Sequence, residues 1–534
     1  MLIIQIIQNR LKRELNLYRN HRQVRRIARD FPVLTDDELV RPVIFFNAST
    51  RLSGLSQNAG FSLITSLSLR KSGIPVLYFV CDRGLSHCVL GTDREKVSNP
   101  PPCLECIRTS RLIYDGAEVE PYQMVRDGRL EDELCGLSLK ELLKFEYNGF
   151  PAGSLVLPSL RWILRIHHLQ DDEDTRYLTR EYILSAWNVK QKFEIILDKY
   201  NPFAVVVFNG MFYPEASARW AAKQRGVPVY SHEVGMLPLS AFFTKGDATA
   251  YPVEVDEFFR LSPEQNDLLD QTLEKRTKGK FITAGVQFWP EMFGLNDEIE
   301  DLAEKHEALV PIFTNVVFDT SQGHANVVFE HMFEWLDEVL RAVKSHPDTL
   351  FVVRAHPDEL RPGKESRETV SEWIEKNRVK DLDNIIYIAP DVYISSYELI
   401  RRAKFVMVYN STIGLEASIM GRPVLCAGKA RYTQISTVFF PDSKRAFIKK
   451  LNEFLEAGKI EVPVEFISNA RRVLYSQLFR ASLPFGDFLK EDGVWRGYVN
   501  LRNFSANDLL PENSDVMQVL HDGIIHGKPF IRDI

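Results

Sequence analysis

Short apolar runs recur along the chain and alternate with longer stretches of helical length. In the first half, the runs Val43 to Phe46, Val76 to Val80 and Phe203 to Phe208 have the length and composition of buried parallel strands. The stretches Ala59 to Leu69 and Pro214 to Gln224 between them are predicted to be helices. This alternation predicts an α/β fold with a parallel sheet.

The same alternation resumes near Leu309. Five further strands are predicted, at Leu309 to Phe313, Phe351 to Val353, Ile385 to Ile388, Phe405 to Val408 and Val424 to Cys426. Long helices are predicted at Leu155 to Leu169, Ile183 to Tyr200 and Val327 to His346.

A chain of 534 residues is too long for one hydrophobic core, so we expect two α/β domains with additions. The expected divisions are a basic helical segment at 1–40, an N-terminal domain at 41–285 with a cysteine loop at 81–106, a crossing at Lys280 to Val286, a C-terminal domain at 286–445, and helices with a tail at 446–534.

Residues 1–30 carry a local charge of +6 on a segment with helical spacing. A helix there would have an apolar stripe of Ile4, Ile7, Leu11, Leu15 and Tyr18, flanked by Arg10, Lys12, Arg13 and Arg19. Such a helix suits an anionic membrane surface. The alternative is a helix that packs on its own domain or on another subunit.

Composition narrows the class of protein. The net charge of −6 argues against nucleic acid as a partner. Apolar runs stay well short of the roughly 20 residues of a membrane span, and six cysteines in so long a chain do not suggest a disulfide framework. We therefore expect a cytoplasmic protein, with the N-terminal helix as a peripheral contact to the inner face of the plasma membrane.

Polar residues follow two of the predicted strands in the second domain. Arg354 and His356 leave the first strand, and Asn410, Ser411 and Thr412 follow the second and precede a helix. Hydroxyls, free backbone N–H groups and a guanidinium at one sheet edge are suited to a phosphate. An Asn-Ser-Thr run before a helix is ordinarily just an N-cap, but the combination on two strand ends favours a phosphate site.

Four cysteines lie close together in the first domain. Cys81, Cys88, Cys103 and Cys106 have the spacing C-x6-C-x14-C-x2-C, and three prolines precede the last pair. The residues favour a structural zinc site over an iron–sulfur cluster, with free buried thiols and a redox pair as the remaining alternatives. The His167-His168 pair beside the acidic run at 171–174 is interpreted as an acidic turn, not a second metal site.

The second half of the chain resembles a known family. The residues that carry the resemblance are Thr314-Asn315-Val316 with Asp319, Phe333 to Leu336, Arg354-Ala-His356-Pro357, Asn410-Ser411-Thr412-x-Gly414-Leu415-Glu416-Ala417 and Gly421-x-Pro423-Val424. They resemble the capsular polysaccharide biosynthesis family, which includes the Kdo transferases of capsule assembly. The motifs are also similar to those of bacterial polysialyltransferases and teichoic-acid glycerophosphotransferases. The resemblance covers about residues 200–435.

The resemblance implies a GT-B glycosyltransferase with two facing Rossmann-like domains and extra helices at both termini. Its donor would be a nucleotide-sugar, with CMP favoured and UDP open, and its acceptor a polysaccharide or lipid-linked glycan. No metal is expected at the donor. The residues implied for the nucleotide and its phosphate are Thr314, Asn315, Arg354, Asn410, Ser411, Thr412 and Glu416, with His356 as a catalytic group.

The resemblance also implies a general base. Relatives have an acidic residue close to a glycine at this place in the N-terminal domain, and Glu233 before Gly235 matches it. Asp319 and His232 are the next candidates. The alternative reactions and roles are a CDP-glycerol phosphotransferase and, in another class, a non-catalytic glycan-binding or scaffold protein.

Overall fold

A computed structural model of the chain describes residues 2–32, 41–49, 54–278 and 293–534. They divide into two compact units. The first unit comprises residues 1–163, 169–251 and 478–534, and the second unit comprises 164–168 and 252–477. The predicted crossing at Lys280 to Val286, with its boundary at 285/286, lies outside the described residues. The chain passes into the second unit at residue 252 and returns to the first at residue 478.

The elements follow the predicted alternation. Up to residue 278 they are α1 (Leu2–Ala28), β1 (Val43–Asn47), α2 (Gln57–Lys71), β2 (Val76–Cys81), α3 (Cys103–Ile113), β3 (Glu118–Tyr122), α4 (Gly128–Leu134), α5 (Leu139–Leu142), α6 (Ala152–Leu164), α7 (Glu173–Tyr200), β4 (Ala204–Phe208), α8 (Tyr213–Gln224), β5 (Val229–Val234), β6 (Ser240–Lys245) and α9 (Pro263–Thr277).

From residue 293 onward the elements are α10 (Asp297–Lys305), β7 (Ala308–Phe313), α11 (Gln322–Ala325), α12 (Met332–Ser345), β8 (Thr349–Arg354), α13 (Val370–Lys376), β9 (Ile385–Ile388), α14 (Ser396–Arg402), β10 (Val406–Val408), α15 (Ile413–Ile419), β11 (Val424–Cys426), α16 (Lys444–Glu456), α17 (Val464–Tyr475), β12 (Leu483–Pro484), β13 (Leu489–Glu491), β14 (Val499–Leu501) and α18 (Asp515–His526).

The first unit contains a seven-stranded sheet in the order β12-β6-β5-β4-β1-β2-β3. The five strands from β5 to β3 are parallel, and β6 and β12 add antiparallel pairs at one edge. Counted along the chain, the parallel strands have the Rossmann order 3-2-1-4-5. The strand order reverses between β1 and β4, so a crevice for a ligand is expected at their carboxyl ends.

The second unit repeats this order in a five-stranded, wholly parallel sheet, β11-β10-β7-β8-β9. Its reversal point lies between β7 and β10. Phe313 at the end of β7 is paired with Val408 on one side and with Arg354 on the other, so the carboxyl ends of three strands are level. The predicted α/β class with two Rossmann-like units is confirmed.

The predicted helices differ from the observed ones at their ends. The helix predicted from Val327 begins only at Met332, because the His331 ring caps it by accepting the Glu334 N–H at 3.1 Å. The helix predicted to reach Leu169 ends at Leu164, and Arg165 follows it with a φ of 63°. The spacing of apolar residues predicts that a helix is present, but it does not show where a cap or a turn ends that helix.

The tail beyond residue 500 is part of the first unit's core. Leu520 and Ile524 of α18, together with Phe530, are buried in the same cluster as β1 and α2. Gly523 is needed there, because a Cβ at that position would lie 2.2 Å from the Phe530 ring. The apolar residues of α18 therefore belong to the hydrophobic core of the first unit, a role that was not predicted from the sequence.

The predicted helix over residues 1–30 is confirmed as α1, and its faces have different surroundings. Leu17, Val24 and Ile27 are buried against the first unit. The predicted apolar stripe is instead exposed, at Ile4, Ile7, Leu11, Leu15 and Tyr18, and so are Arg10, Lys12 and Arg19 beside it. Within the described residues, no helix has the length and apolar content needed to cross a bilayer.

Candidate active site

The polar residues predicted to bind phosphate converge on the carboxyl edge of the second sheet. Thr314 follows β7, and its hydroxyl donates to the Arg354 carbonyl at 3.1 Å. The Asn315 side-chain oxygen accepts the Asn410 N–H at 3.3 Å, across the point where the strand order reverses. The ends of β7, β8 and β10 are thereby tied together around the crevice in which α/β proteins bind ligands.

The Asn-Ser-Thr run does not behave as an ordinary cap. Thr412 stands at the N-cap of α15 but makes no side-chain capping bond. The backbone of the run is held from elsewhere, because the Tyr432 hydroxyl donates to the Ser411 carbonyl at 2.7 Å. The side-chain oxygen of Asn410 is buried and accepts no hydrogen bond from the described residues. Thr412 therefore does not cap the helix, and the assignment of these side chains to a ligand stays a prediction.

His356 is held as a neutral imidazole with a defined proton. Its Nδ1 accepts the Asp358 N–H at 3.1 Å, so the ring hydrogen lies on Nε2. Burial lowers the pKa of His356 below its ordinary value, and the Asp358 and Asp319 carboxylates oppose this only in part. Near neutral pH the ring can thus donate one hydrogen bond through Nε2.

Arg354 and Glu416 are more enclosed than the sequence indicated. Arg354 is only 3% exposed and donates to the Val392 carbonyl at 2.9 Å, and burial lowers its pKa to about 10. Glu416 is 4% exposed, so it is not a surface carboxylate. One of its oxygens pairs with Arg276 at 2.9 Å and the other accepts the Tyr397 hydroxyl. Both residues make contacts that support the edge of the sheet, and their nucleotide roles stay predictions.

A pocket lies within the first unit, at the equivalent reversal point. The space in it that a water-sized group can reach is about 30 Å³. Its lining includes Ala48 and Ser49 after β1, Asn58 of α2, Phe208 at the end of β4, and Phe212 and Glu215 at the start of α8. In the first unit, the reversal of strand order thus coincides with a recess in the surface.

Glu233 is positioned beside this pocket by three N–H donors. Asn58, which lines the pocket, donates to one carboxylate oxygen at 3.2 Å, and the Val234 N–H donates to the same oxygen at 2.9 Å. Asn209 donates to the other oxygen at 2.9 Å. Gly235 allows the tight turn that follows, because a Cβ there would lie 2.4 Å from the Ser240 hydroxyl. The carboxylate is oriented and half-exposed, as a base must be.

His232, named as a further candidate base, is unsuited to that role. It lies between the Phe208 and Phe243 rings and is almost fully buried. Burial lowers its pKa to about 3, so the ring is a very weak base. Asp319, the other candidate, is exposed in the second unit, where its carboxylate accepts the Ser321 N–H at 2.8 Å.

Glu215 is a candidate functional residue that the sequence reading missed. It lines the first unit's pocket, is only 3% exposed and accepts the Ala48 N–H at 3.3 Å. Burial raises its pKa to about 8, so the carboxyl group is mostly protonated near neutral pH. In the sequence it is an acid in the first turn of a helix, a position that is usually solvated. Only the folded chain places it under β1.

This carboxyl group predicts a pH dependence of stability. Between its ordinary pKa of about 4.5 and its folded pKa of about 8, folded Glu215 keeps a proton that the unfolded chain releases. The free energy of unfolding therefore falls as pH rises through this range. Glu215→Gln, which cannot ionise, should lose less thermal stability than the parent between pH 5.5 and about 8. Melting curves of both proteins, with exposed Glu146→Gln as the control, test this; parallel losses would contradict it.

Part of the second unit matches a known protein family. Residues 270–436 match the family model described as capsule polysaccharide biosynthesis protein. The predicted resemblance is confirmed for this segment. Residues 270–436, called the capsule segment below, contain β7 to β11 and every residue predicted to bind the nucleotide. Curated proteins give no sequence match.

Solved structures give distant matches. A β-Kdo 2,4-transferase, KpsC of Thermosulfurimonas dismutans, matches at 12% identity and a TM-score of 0.34, over 53% of this chain and 80% of that one. The UDP-GlcNAc 2-epimerase of Neisseria meningitidis, bound to UDP-GlcNAc, matches at 15% identity and a TM-score of 0.23, over 81% and 97%. Identities and TM-scores this low say nothing about the substrates of this chain.

The four cysteines lie outside the capsule segment, in the first unit. The structure brings all of them to one pocket beside the carboxyl end of β2, as the loop spacing predicted, and all are free thiols. The structural zinc expected there stays a prediction.

The capsule segment also contributes to a histidine cluster. Among the described residues, His167, His168 and His331 form a group whose candidate ligand atoms lie within 4.8 Å of one another. His331 Nδ1 accepts a backbone N–H, so its Nε2 hydrogen is free to donate to His168 Nε2 at 3.3 Å. His168 Nδ1 in turn contacts the Glu368 carboxylate. This hydrogen-bond chain is complete without an ion.

The cluster explains how residues 164–168 join the second unit. The backbone N–H groups of His167 and His168 donate to the other Glu368 oxygen, at 2.7 and 3.0 Å. Burial opposes ionisation of Glu368, but these hydrogen bonds outweigh it and lower its pKa to about 2. The acidic run at 171–174 is a separate feature, because Asp172 caps α7 by accepting the Thr175 N–H at 2.8 Å. The predicted acidic turn is instead the start of a helix, because Glu173 and Asp174 lie in the first turn of α7.

Proposed function

We propose that the protein is a glycosyltransferase that moves a sugar from a nucleotide-activated donor, with CMP favoured over UDP, to a surface polysaccharide or lipid-linked glycan. The observation that carries the proposal is His356, a neutral hydrogen-bond donor at the ligand crevice of a unit whose capsule segment matches a capsule polysaccharide family. Ser411 and Thr412 follow β10 at the same sheet edge, and Thr412 makes no capping bond.

The proposed reaction is a displacement in which the nucleotide phosphate leaves the sugar. Negative charge grows on the departing phosphate oxygen, and a donor fixed beforehand stabilises it without reorganising. His356 Nε2–H and the hydroxyls of Ser411 and Thr412 are assigned to that role, which makes a metal at the donor unnecessary. Glu233 of the first unit is assigned to accept the proton of the acceptor hydroxyl.

The state of His356 favours sugar transfer over the alternative transfer of glycerol phosphate. A histidine that attacks phosphorus needs an unprotonated ring nitrogen directed at the phosphate. In His356 the unprotonated nitrogen is Nδ1, which already accepts the Asp358 N–H. The other nitrogen, Nε2, carries the hydrogen, so the ring is suited to donate and not to attack.

A panel of nucleotides tests the proposal. A ligand present at about 100 times its Kd adds about 2.7 kcal/mol to stability, which a thermal melt detects. We expect CMP to raise the melting temperature, and UDP to a smaller extent. Stabilisation by CDP-glycerol alone would support the phosphotransferase, and no stabilisation by any of them would support a non-catalytic role.

We also propose that the exposed face of α1 binds the anionic inner surface of the plasma membrane. Its five apolar side chains are each more than half exposed, and arginine and lysine lie beside them. Apolar groups would enter the headgroup boundary while the cations contact lipid phosphates. The buried face at Leu17, Val24 and Ile27 would hold the rest of the protein against the bilayer.

Point substitutions test membrane binding better than removal of residues 1–30, because removal would open the core beneath Val24. Replacing Leu11, which is 60% exposed, and Leu15 together by Asp should weaken binding to phosphatidylglycerol vesicles by roughly tenfold or more. Ile195→Asp, at an exposed apolar position of α7, is the matched control. Equal sedimentation of all three proteins with the vesicles would refute the proposal.

A further inference from the structure

Three histidines of the second unit face one another. Two of them, His167 and His168, lie in the segment 164–168, and the third, His331, is the N-cap of α12. The centroids of their rings are 4.6 to 5.0 Å apart, and one candidate ligand atom of each lies within 4.8 Å of the other two. Neutral imidazole is the commonest metal ligand among protein side chains and is well suited to zinc. We propose that these three histidines bind one zinc ion.

The distance between two of the ring nitrogens fits zinc. His168 Nε2 and His331 Nε2 are 3.3 Å apart and share one hydrogen in the metal-free protein. Tetrahedral zinc holds each nitrogen at about 2.0–2.1 Å, so any two of its nitrogens lie about 3.3–3.4 Å apart. A zinc ion can therefore take the place of the shared hydrogen with little movement of either ring. His167 reaches the third corner after a ring shift on the order of 1 Å.

Glu368 prepares His168 to bind a metal. Its carboxylate contacts His168 Nδ1, so the hydrogen of that ring lies on Nδ1 and the lone pair lies on Nε2. The other carboxylate oxygen accepts the backbone N–H groups of His167 and His168 and holds the pair in place. A carboxylate behind a metal-bound histidine is common in metal sites, because it fixes the orientation of the ring and the position of its hydrogen. His168 therefore already has the orientation and the tautomer that a zinc ligand needs.

His331 has to exchange one hydrogen bond for the metal. In the metal-free protein its Nδ1 accepts the Glu334 N–H at 3.1 Å, which leaves the ring hydrogen on Nε2. When Nε2 binds zinc, this hydrogen moves to Nδ1, so no proton leaves the ring but the helix cap is lost. One helix cap contributes much less free energy than a bound zinc ion. The exchange therefore favours the metal-bound form when zinc is available.

The ion would join the segment 164–168 to the start of α12. None of the four acids at 171–174 belongs to the group, so the fourth corner of the zinc ion is left to water. The His168 side chain is 49% exposed, which gives water access to that corner. In the first turn of α12, Met332 Sδ accepts the Asn315 N–H at 3.1 Å. The role assigned to the ion is structural: it fixes α12 beside Asn315, whatever the nucleotide of the donor is.

Zinc titration of the untagged, metal-stripped protein against a chelating dye tests the site. The variant combines His168→Asn with His331→Asn, because asparagine can keep the hydrogen bond that each ring makes through Nδ1 and has no atom at the position of Nε2. We expect the parent to bind one zinc ion per chain more than this variant, a difference that excludes any zinc bound by the cysteines. His306→Gln, at a histidine of the second unit outside the cluster, should bind zinc as the parent does. Equal numbers of bound zinc ions in the parent and the double variant would overturn the proposal.

A second variant tests the ligands without removing a histidine. Glu368→Gln can still accept the backbone N–H groups of His167 and His168 through its oxygen, while its N–H₂ group faces His168 Nδ1. The His168 hydrogen then moves to Nε2, the atom that zinc needs. Zinc affinity should fall about 10–100-fold, as is typical when the outer partner of a metal-bound histidine is lost. An affinity equal to that of the parent would contradict His168 as a ligand.

Discussion

Replacing His356 by Ala is expected to lower the rate of sugar transfer by roughly 10²-fold or more, because the variant loses a fixed donor to the departing phosphate. Melting temperature should change little, since the ring is half-buried at the edge of the sheet and lies outside the hydrophobic core cluster of the second unit. Nucleotide binding should weaken less than turnover, because the charge that His356 stabilises develops only as the bond breaks.

Two further variants test whether His356 acts in catalysis or only holds the backbone turn. His356→Asn can still accept the Asp358 N–H through its side-chain oxygen, so it retains the cap, but it has no donor at the position of Nε2. It should be as slow as the alanine variant. His306→Ala, which changes a histidine just before the amino end of β7, should keep the parent rate. If His356→Asn transfers sugar at the parent rate, His356 serves only the backbone turn.

Glu233→Gln is expected to abolish most transfer while leaving nucleotide binding intact. General bases typically contribute 10²–10⁴-fold, and the amide is nearly isosteric but cannot take a proton. The glutamine oxygen can keep the hydrogen bonds from Asn58 and the Val234 N–H, and its N–H₂ group replaces only the oxygen that Asn209 contacts. The fold should therefore tolerate the substitution.

Glu215→Gln is the informative comparison for Glu233, because the two carboxyl groups adjoin one pocket. The raised pKa of Glu215 makes it a poor base near neutral pH. Its variant should keep most of the activity while changing the pH dependence of stability. If Glu233→Gln were active and Glu215→Gln inactive, the general base would be Glu215 of α8 and not Glu233.

Much of the fold could be read from the sequence, because buried strands are nearly continuous apolar runs. β1, β2, β4, β7, β8 and β10 lie within two residues of their predicted ends. β3 was missed because its residues Glu118 and Glu120 are polar, and β6 because Ser240 and Thr244 interrupt its apolar pattern. The role of α18 was missed because its partners in the core are hundreds of residues away in sequence.

The site residues that directly follow a strand could be predicted from the sequence. The site residues whose positions depend on contacts between distant segments could not. Thr314, His356 and Asn410 follow adjacent parallel strands, so their convergence followed from the strand order alone. No local pattern shows that Glu416 pairs with Arg276, that Glu215 lies under β1, or that His331 meets His168 across more than 160 positions. Such contacts depend on which distant segments the fold brings together.

The most direct measurement of the central claim is the mass of an acceptor glycan after incubation with the protein and a CMP-sugar. The proposal predicts that the acceptor gains the mass of one sugar residue and that free CMP appears in equal amount. His356→Asn and Glu233→Gln, both folded, should give neither product at the parent rate. A parallel incubation with CDP-glycerol tests the alternative phosphotransferase activity. An acceptor that gains glycerol phosphate from CDP-glycerol, and no sugar from any nucleotide-sugar, would contradict the assignment as a glycosyltransferase.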